Sequence, residues 1–185
     1  VKEQMVLDGT FPTVKSPNPE NPEGFYLAVD LAKEVGSDLI LGTDPDSDRV
    51  GVMVRGADGE YHTITGNQMG VLLLDYIITA RRRKGTLPEN AAAISTIVTS
   101  KMVRRICDVN DIHFDETFTG FKFMAEKLAE YQRDGSYQYV LAFEESYGYM
   151  MGDYVRDKDA VTACVMITEM AAYYFEQGMT LAQAL

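Results

Sequence analysis

Residues 93–143 read AISTIVTSKMVRRICDVNDIHFDETFTGFKFMAEKLAEYQRDGSYQYVLAF, and this stretch decides the fold. Three apolar runs of strand length lie at Ala93–Val98, Ile112–Phe118 and Tyr137–Phe143. Between them, Lys101–Asp108 and Phe121–Gln132 space their apolar residues three and four apart, as a helix with one buried face does. Strand, helix, strand, helix, strand implies parallel strands joined by right-handed crossovers, because a tight turn cannot join parallel neighbours. The expected class is α/β, with a mixed, largely parallel sheet sandwiched by helices. In such sheets ligands bind at the edge where the strands exit.

The alternation extends outward. A helix over Gln68–Lys84 places Met69, Leu72, Leu73, Tyr76, Ile77 and Ala80 on one face, and a long helix over Asp159–Gln177 is closed by Gly178. Upstream of residue 65 the pattern differs. Residues 8–24 are rich in Pro, Asn and Gly and read as an ordered loop. Asn21-Pro22 opens a helix through Leu27, Ala28, Leu31, Ala32 and Val35 that stops at Gly36. Strands follow at Leu39–Leu41, Val50–Val54 and Tyr61–Ile64, the last two joined by a turn at Ala57–Glu60. Two units are expected, 1–64 and 65–185, the first with too few elements for a complete layer.

Seventeen Lys and Arg against 28 Asp and Glu give a net charge of −11 and a pI near 4.6. That balance argues against nucleic acid and against an anionic membrane surface, both of which need a basic face. No run approaches the roughly 20 apolar residues of a membrane span. Cys107 and Cys164 lack metal-site or redox spacing and read as reduced residues of a cytoplasmic protein. The chain opens at Val1, and a helix start at Thr180 comes just before the end at Leu185. A helix that short does not hold itself together, so the expectation is a piece of a longer polypeptide.

Thr43-Asp44-Pro45-Asp46-Ser47-Asp48-Arg49 lies between two apolar strands. Carboxylates this close repel unless they point to water or share a cation. A solvated acidic turn and a metal loop are both open readings, and the pinned loop ends raise the second. Oxygen-only donors suit Mg²⁺. An EF-hand fails on spacing, since its Gly and Glu positions hold Arg49 and Arg55. A Mg²⁺-dependent aspartyl-phosphate phosphatase, with Asp44 as nucleophile, fits poorly because Asp48 stands where a small hydroxyl residue is usual. Arg49 is either a fork for phosphate or a surface cation balancing the acids.

Three further segments sit at expected strand-to-helix junctions. Phe143-Glu144-Glu145-Ser146-Tyr147-Gly148 places an acid and a hydroxyl where a sugar's vicinal hydroxyls can bind, or else is a solvated loop, with Gly148 and Gly152 lending mobility. Arg156-Asp157-Lys158-Asp159 offers Lys158 as a proton shuttle or phosphate ligand, or simply Asp159 as a helix cap. Thr119-Gly120-Phe121-Lys122 exposes backbone N–H groups that can face an anion or a sugar oxygen.

Taken in order, these segments resemble the α-D-phosphohexomutase family over nearly the whole chain. The resemblance is carried by Gly9-Thr10-Phe11-Pro12, Asn18-Pro19-Glu20, Thr43–Arg49, Thr65-Gly66-Asn67-Gln68-Met69-Gly70, Thr119–Lys122, Glu144-Glu145-Ser146 and Arg156–Asp159. Phe-Glu-Glu-Ser-Tyr-Gly is most similar to the bacterial phosphoglucomutase branch, with phosphomannomutase and phosphopentomutase as alternatives. The resemblance implies that Asp44, Asp46 and Asp48 bind Mg²⁺ and that Arg49 contacts the phosphoryl group of a phosphoserine. It implies that Glu144 and Ser146 hold sugar hydroxyls, that Thr119 and Gly120 line the same pocket, and that Lys158 is a candidate acid or base. The implied reaction moves phosphate between O1 and O6 of a hexose through a bisphosphate.

Family members have four domains, with the phosphoserine in the first and a substrate-phosphate loop in the fourth. No Thr-Ala-Ser-His-Asn-Pro-like segment occurs here. The resemblance therefore makes residues 1–64 the C-terminal part of domain 2 and 65–185 domain 3, partnered by domains 1 and 4 and by a hexose phosphate. Alone, the chain is expected to bind metal weakly and to lack mutase activity. A rival from another class is a cation- or carbohydrate-binding module without chemistry.

Overall fold

A computed structural model describes residues 1–185. The decisive stretch folds as β4 (Ala91–Thr96), α3 (Met102–Asn110), β5 (His113–Thr117), α4 (Phe121–Asp134) and β6 (Gln138–Glu144), followed by β7 (Gly148–Met150). Strand order is β5-β4-β6-β7, with β4 parallel to both β5 and β6 and β7 antiparallel to β6. The sheet is thus mixed and largely parallel, as the sequence implies.

β4 is buried at every residue, and its pleat sorts its side chains by twos. Ala91 and Ala93 face a cluster built with α2 (Gly66–Lys84), α3 and α5 (Ala160–Glu176), while Ala92 and Ile94 face Phe121, Met124, Leu128 and Tyr131 of α4. The ladder between β4 and β6 shifts register at Ala92/Ala93. That bulge puts both Val140 and Leu141 on the α2 side.

α2 begins with a capping box in which the Gln68 N–H donates to Thr65 Oγ1 and the Thr65 N–H donates to Gln68 Oε1. Its buried surface is wider than the expected single face and takes in Leu74 and Ile78 as well. The helix lies between the sheet and α3 and α5, so little of its girth meets water.

The first unit forms α1 (Tyr26–Val35), β1 (Leu39–Thr43), β2 (Val50–Arg55) and β3 (Tyr61–Ile64), an antiparallel sheet in the order β1-β2-β3. Ile40 and Met53 pack on Phe25 and Ala32 on the α1 side. The opposite face, Val50, Val52, Val54 and Ile64, joins the large cluster around α2 and α5. Apolar packing therefore runs continuously from the first unit into the second. α6 (Leu181–Ala184) is a single turn, yet Thr180 caps it and Leu181 is buried in that cluster, so tertiary contact supplies what its length cannot.

Three expectations shift. Pro22 starts a 3-10 turn (Pro22–Phe25) rather than the α-helix, and the Asn21 side chain caps nothing. The first strand of the decisive stretch lies two residues earlier than read. Ile97 and Val98 look like strand residues but are exposed in a turn closed by the Thr99 N–H donating to the Thr96 carbonyl. Gly148 is not part of a mobile loop: it is buried in β7 and paired with Glu144. No helix is long and apolar enough to cross a membrane.

One glycine tests the packing. A Cβ on Gly70 would lie 2.0 Å from Phe143 Cε2, and Phe143 is fully buried. Gly70→Ala is expected to lower stability by about 1–3 kcal/mol, read as a lower urea midpoint with an unchanged slope.

Candidate functional site

The acidic loop is built around Asp44, the buried residue that follows β1. Its Oδ1 accepts from the backbone N–H groups of Asp48 and Arg49, each at 3.0 Å, and its Oδ2 accepts from Arg49 Nε at 2.8 Å. Ser47 turns the loop with a left-handed φ of 57°. Burial works to raise the Asp44 pKa, but the Arg49 and Asp48 bonds outweigh it and hold the carboxyl below its usual range. Burial pushes Asp48 the other way, helped by Asp44 beside it and opposed by Lys158.

Asp44, Asp46 and Asp48 each bring a carboxylate oxygen within 4.8 Å of the others. Their donor capacity fits a hard cation. Asp44 Oδ2 has a single partner, Asp46 is exposed and makes no side-chain hydrogen bond, and Asp48 uses only Oδ2 at short range. Each therefore has an oxygen open, and three oxygens with no nitrogen or sulfur donor suit Mg²⁺ or Ca²⁺ better than zinc. Asp44 is committed to holding its own loop and to Arg49, which leaves it a poor nucleophile.

Arg49 is clamped twice. Besides Asp44, its Nη1 donates to Glu20 Oε1 at 3.2 Å. The segment bearing Glu20 is seated by Gly51, where a Cβ would come within 2.4 Å of the Pro19 carbonyl oxygen. Nη2 forms no hydrogen bond within the protein and stays free for a ligand.

The second unit meets this loop along β7. Arg49 forms an antiparallel bridge with Gly148, the Val50 N–H donates to the Tyr147 carbonyl at 3.1 Å, and the Ala160 N–H donates to the Ser47 carbonyl at 3.0 Å. Lys158 crosses the seam, with Nζ 2.9 Å from Asp48 Oδ2, 3.2 Å from Asp157 Oδ1 and 5.0 Å from the centre of the Phe121 ring. Gly148 makes that path possible, since a Cβ there would sit 2.2 Å from Lys158 Cδ. Burial favours a neutral Lys158, but Asp48 and Asp157 prevail and keep it protonated.

Glu144 ends β6, and Glu145-Ser146-Tyr147 is a three-residue hairpin loop to β7. Such loops close with a left-handed residue, usually Gly. Here Tyr147 takes that role at φ 69°, at a cost of about 1 kcal/mol. Burial raises the Glu144 carboxyl pKa, with the Ser146 hydroxyl and the Lys158 charge partly offsetting it. Thr119 and Gly120 lie at the start of α4, two strands from β6, on the order of 10 Å away. Thr119 is exposed and makes no side-chain hydrogen bond, so the pair joins the cluster only through Phe121 beneath Lys158.

The structure thus gathers Asp44, Asp46, Asp48, Arg49, Lys158, Glu144 and Ser146 at one seam, with Thr119 and Gly120 at its margin. Sequence reasoning did not foresee that Glu20 would position Arg49, or that Gly148 and Phe121 would position Lys158. All three lie in or beside segments it quoted, but Gly148 was read there as lending mobility and Phe121 only as part of a backbone motif.

The fold and seam define a class first: a helix-sandwiched α/β unit joined to an antiparallel sheet that presents an acidic loop at the junction. The chain belongs to the phosphoglucomutase/phosphomannomutase family. Residues 65–185 match its alpha/beta/alpha domain III and residues 1–59 its alpha/beta/alpha domain II. A phosphoglucomutase of Staphylococcus haemolyticus is 35% identical over 185 residues, 100% of this chain and 33% of that protein. One from Staphylococcus aureus (strain USA300) is 38% identical over 181 residues, 98% of this chain and 32% of that protein. The chain spans about a third of the length of these relatives. A phosphoglucomutase/phosphomannomutase family protein from Burkholderia thailandensis shares the fold with TM-score 0.69 and 20% identity, over 90% of this chain and 33% of that one. Aspergillus fumigatus N-acetylphosphoglucosamine mutase, solved with GlcNAc-6P and magnesium, shares it with TM-score 0.58 and 13% identity, over 88% of this chain and 40% of that one.

The Lys158 charge lowers the Glu144 pKa, so removing it must raise that pKa further. Lys158→Met is expected to move the Glu144 carboxyl titration to higher pH, read by carboxyl-detected ¹³C NMR. A shift to lower pH, or none, would contradict the geometry.

Proposed function

We propose that this chain is the central part of a phosphoglucomutase, which interconverts glucose 1-phosphate and glucose 6-phosphate through a phosphoserine and a bisphosphate intermediate. Residues 1–64 are then the C-terminal part of domain 2 and residues 65–185 domain 3. The phosphoserine and the substrate-phosphate loop belong to domains 1 and 4, outside this stretch of sequence. The observation that carries the reading is the seam itself, where an acidic loop, a clamped Arg, a protonated Lys and a Glu/Ser hairpin from two units converge. The names of the Staphylococcus relatives support glucose as the sugar.

Asp44, Asp46 and Asp48 hold Mg²⁺, and magnesium in the complex of the Aspergillus mutase supports that choice. A cation held by these three carboxylates would supply positive charge to offset that of a phosphoryl group. Arg49 is pre-oriented by Asp44 and Glu20 and donates its free Nη2 to the phosphoryl group, a role its planar fork suits. Lys158 is protonated at rest: it gives that proton to the sugar oxygen as the bond from that oxygen to phosphorus breaks and the phosphoryl group passes to the serine, and it regains one from the sugar hydroxyl that attacks the phosphoserine. Glu144 and Ser146 take the sugar's 3- and 4-hydroxyls, fixing which end of the hexose faces the phosphate. Thr119 and Gly120 line the outer wall. A cytoplasmic setting suits two free thiols, and the −11 charge accords with a small-molecule partner and not with nucleic acid or an anionic membrane.

Two measurements test this. In the complete polypeptide, a coupled assay should show glucose 1-phosphate converted faster than mannose 1-phosphate, while residues 1–185 alone show no turnover. Asp46→Asn and Asp48→Asn should each weaken Mg²⁺ binding by roughly tenfold or more by isothermal titration. Unchanged affinity in both variants would remove the metal role of the loop.

A further inference from the structure

We infer that Glu145 is the positioning residue that fixes the Glu144 and Ser146 side chains for hydroxyl recognition, an inference that rests on the sugar-binding reading above. Glu144 and Ser146 flank it on the hairpin, but its carboxylate serves a different partner. Oε2 accepts from Thr96 Oγ1 at 3.0 Å and from Thr99 Oγ1 at 3.5 Å. Both threonines are buried, at 0% and 4% exposure.

The two hydroxyls are also 2.8 Å apart, the Thr96 N–H donates to Thr99 Oγ1 at 3.3 Å, and the Thr99 N–H donates to the Thr96 carbonyl at 3.0 Å. This small network is fully satisfied, with no buried side-chain polar atom left over. A carboxylate accepting from buried hydroxyls is a charge-assisted contact, stronger than one between neutral groups. It ties the hairpin tip to the turn that follows β4.

The backbone is wedged as well. A Cβ on Gly66 would come within 2.1 Å of the Glu145 carbonyl oxygen, so the tip rests on the first turn of α2. Asn67 Oδ1 accepts from the Ser100 N–H at 2.7 Å and joins that turn of α2 to the same β4 turn. These ties hold the left-handed Tyr147 in a conformation that a free hairpin of this sequence would leave. A hydroxyl-binding pair is useful only when its oxygens are fixed to within roughly half an ångström, and the Glu145 anchor supplies that.

Steady-state kinetics of the complete enzyme with glucose 1-phosphate, paired with hydrogen exchange at the amides of residues 146–150, test the inference. Glu145→Ala should raise KM about tenfold, the scale of losing a supporting contact, with kcat changed less than about threefold, and should reduce protection of those amides. Glu145→Gln keeps an acceptor oxygen but loses the charge, and should fall between wild type and Glu145→Ala in both. The Thr96→Val/Thr99→Val double variant should match Glu145→Ala. A wild-type KM or wild-type protection in Glu145→Ala overturns the inference, as does Glu145→Gln impaired equally. Absence of hexose-phosphate turnover in the unaltered enzyme would count against the proposed function instead, and exchange alone would then decide the role of Glu145.

Discussion

The ion pair between Lys158 and Asp48 joins what the sequence keeps far apart, and the rest of the site depends on it. Lys158 precedes α5 in the second unit, while Asp48 sits in the loop between β1 and β2 in the first. Bare of a side chain, Gly148 lets the lysine stem pass over β7, and the Arg49–Gly148 bridge with its neighbouring backbone bonds fixes the separation of the two loops. A side chain at position 148 would push Lys158 off this path. The acidic loop and the Glu/Ser hairpin would then lose their common charge.

That geometry also explains how an acidic chain keeps two cations at one seam. Arg49 and Lys158 both lie among carboxylates, and both keep their protons because those carboxylates outweigh the penalty of partial burial. Asp44 and Asp48 respond in opposite directions, Asp44 held ionised by three donors and Asp48 pushed up by burial and by Asp44 against the pull of Lys158. Such coupled, oppositely pushed groups are characteristic of sites rather than of solvated surface.

The layered half of the fold was legible because its signals are local. The apolar face of α2 from Met69 to Ala80, the Gly36 that closes α1 and the apolar run of β4 all act within a few residues of themselves. The acidic loop was legible for the same reason, since alternate aspartates between two apolar strands form a local pattern. What escaped is non-local or ambiguous in type. Glu20 clamps Arg49 from a distant loop, Phe121 lies beneath Lys158, and Glu145 reaches threonines at the end of β4 and in the turn after it. Gly148 misled because glycine in a sequence signals mobility, whereas here it is needed for close approach inside a buried strand. Ile97 and Val98 misled in the other direction, apolar residues that lie outside the strand they appear to extend.

The claim at the centre is that the aspartate loop and the Glu/Ser hairpin form one site. Titrating isotope-labelled protein with Mn²⁺ in place of Mg²⁺ and mapping paramagnetic broadening of the amide signals tests it directly. The expected result is loss of signal at residues 44–49 together with residues 144–148 and 158–160. Broadening confined to residues 44–49, or scattered over the acidic surface, would contradict it.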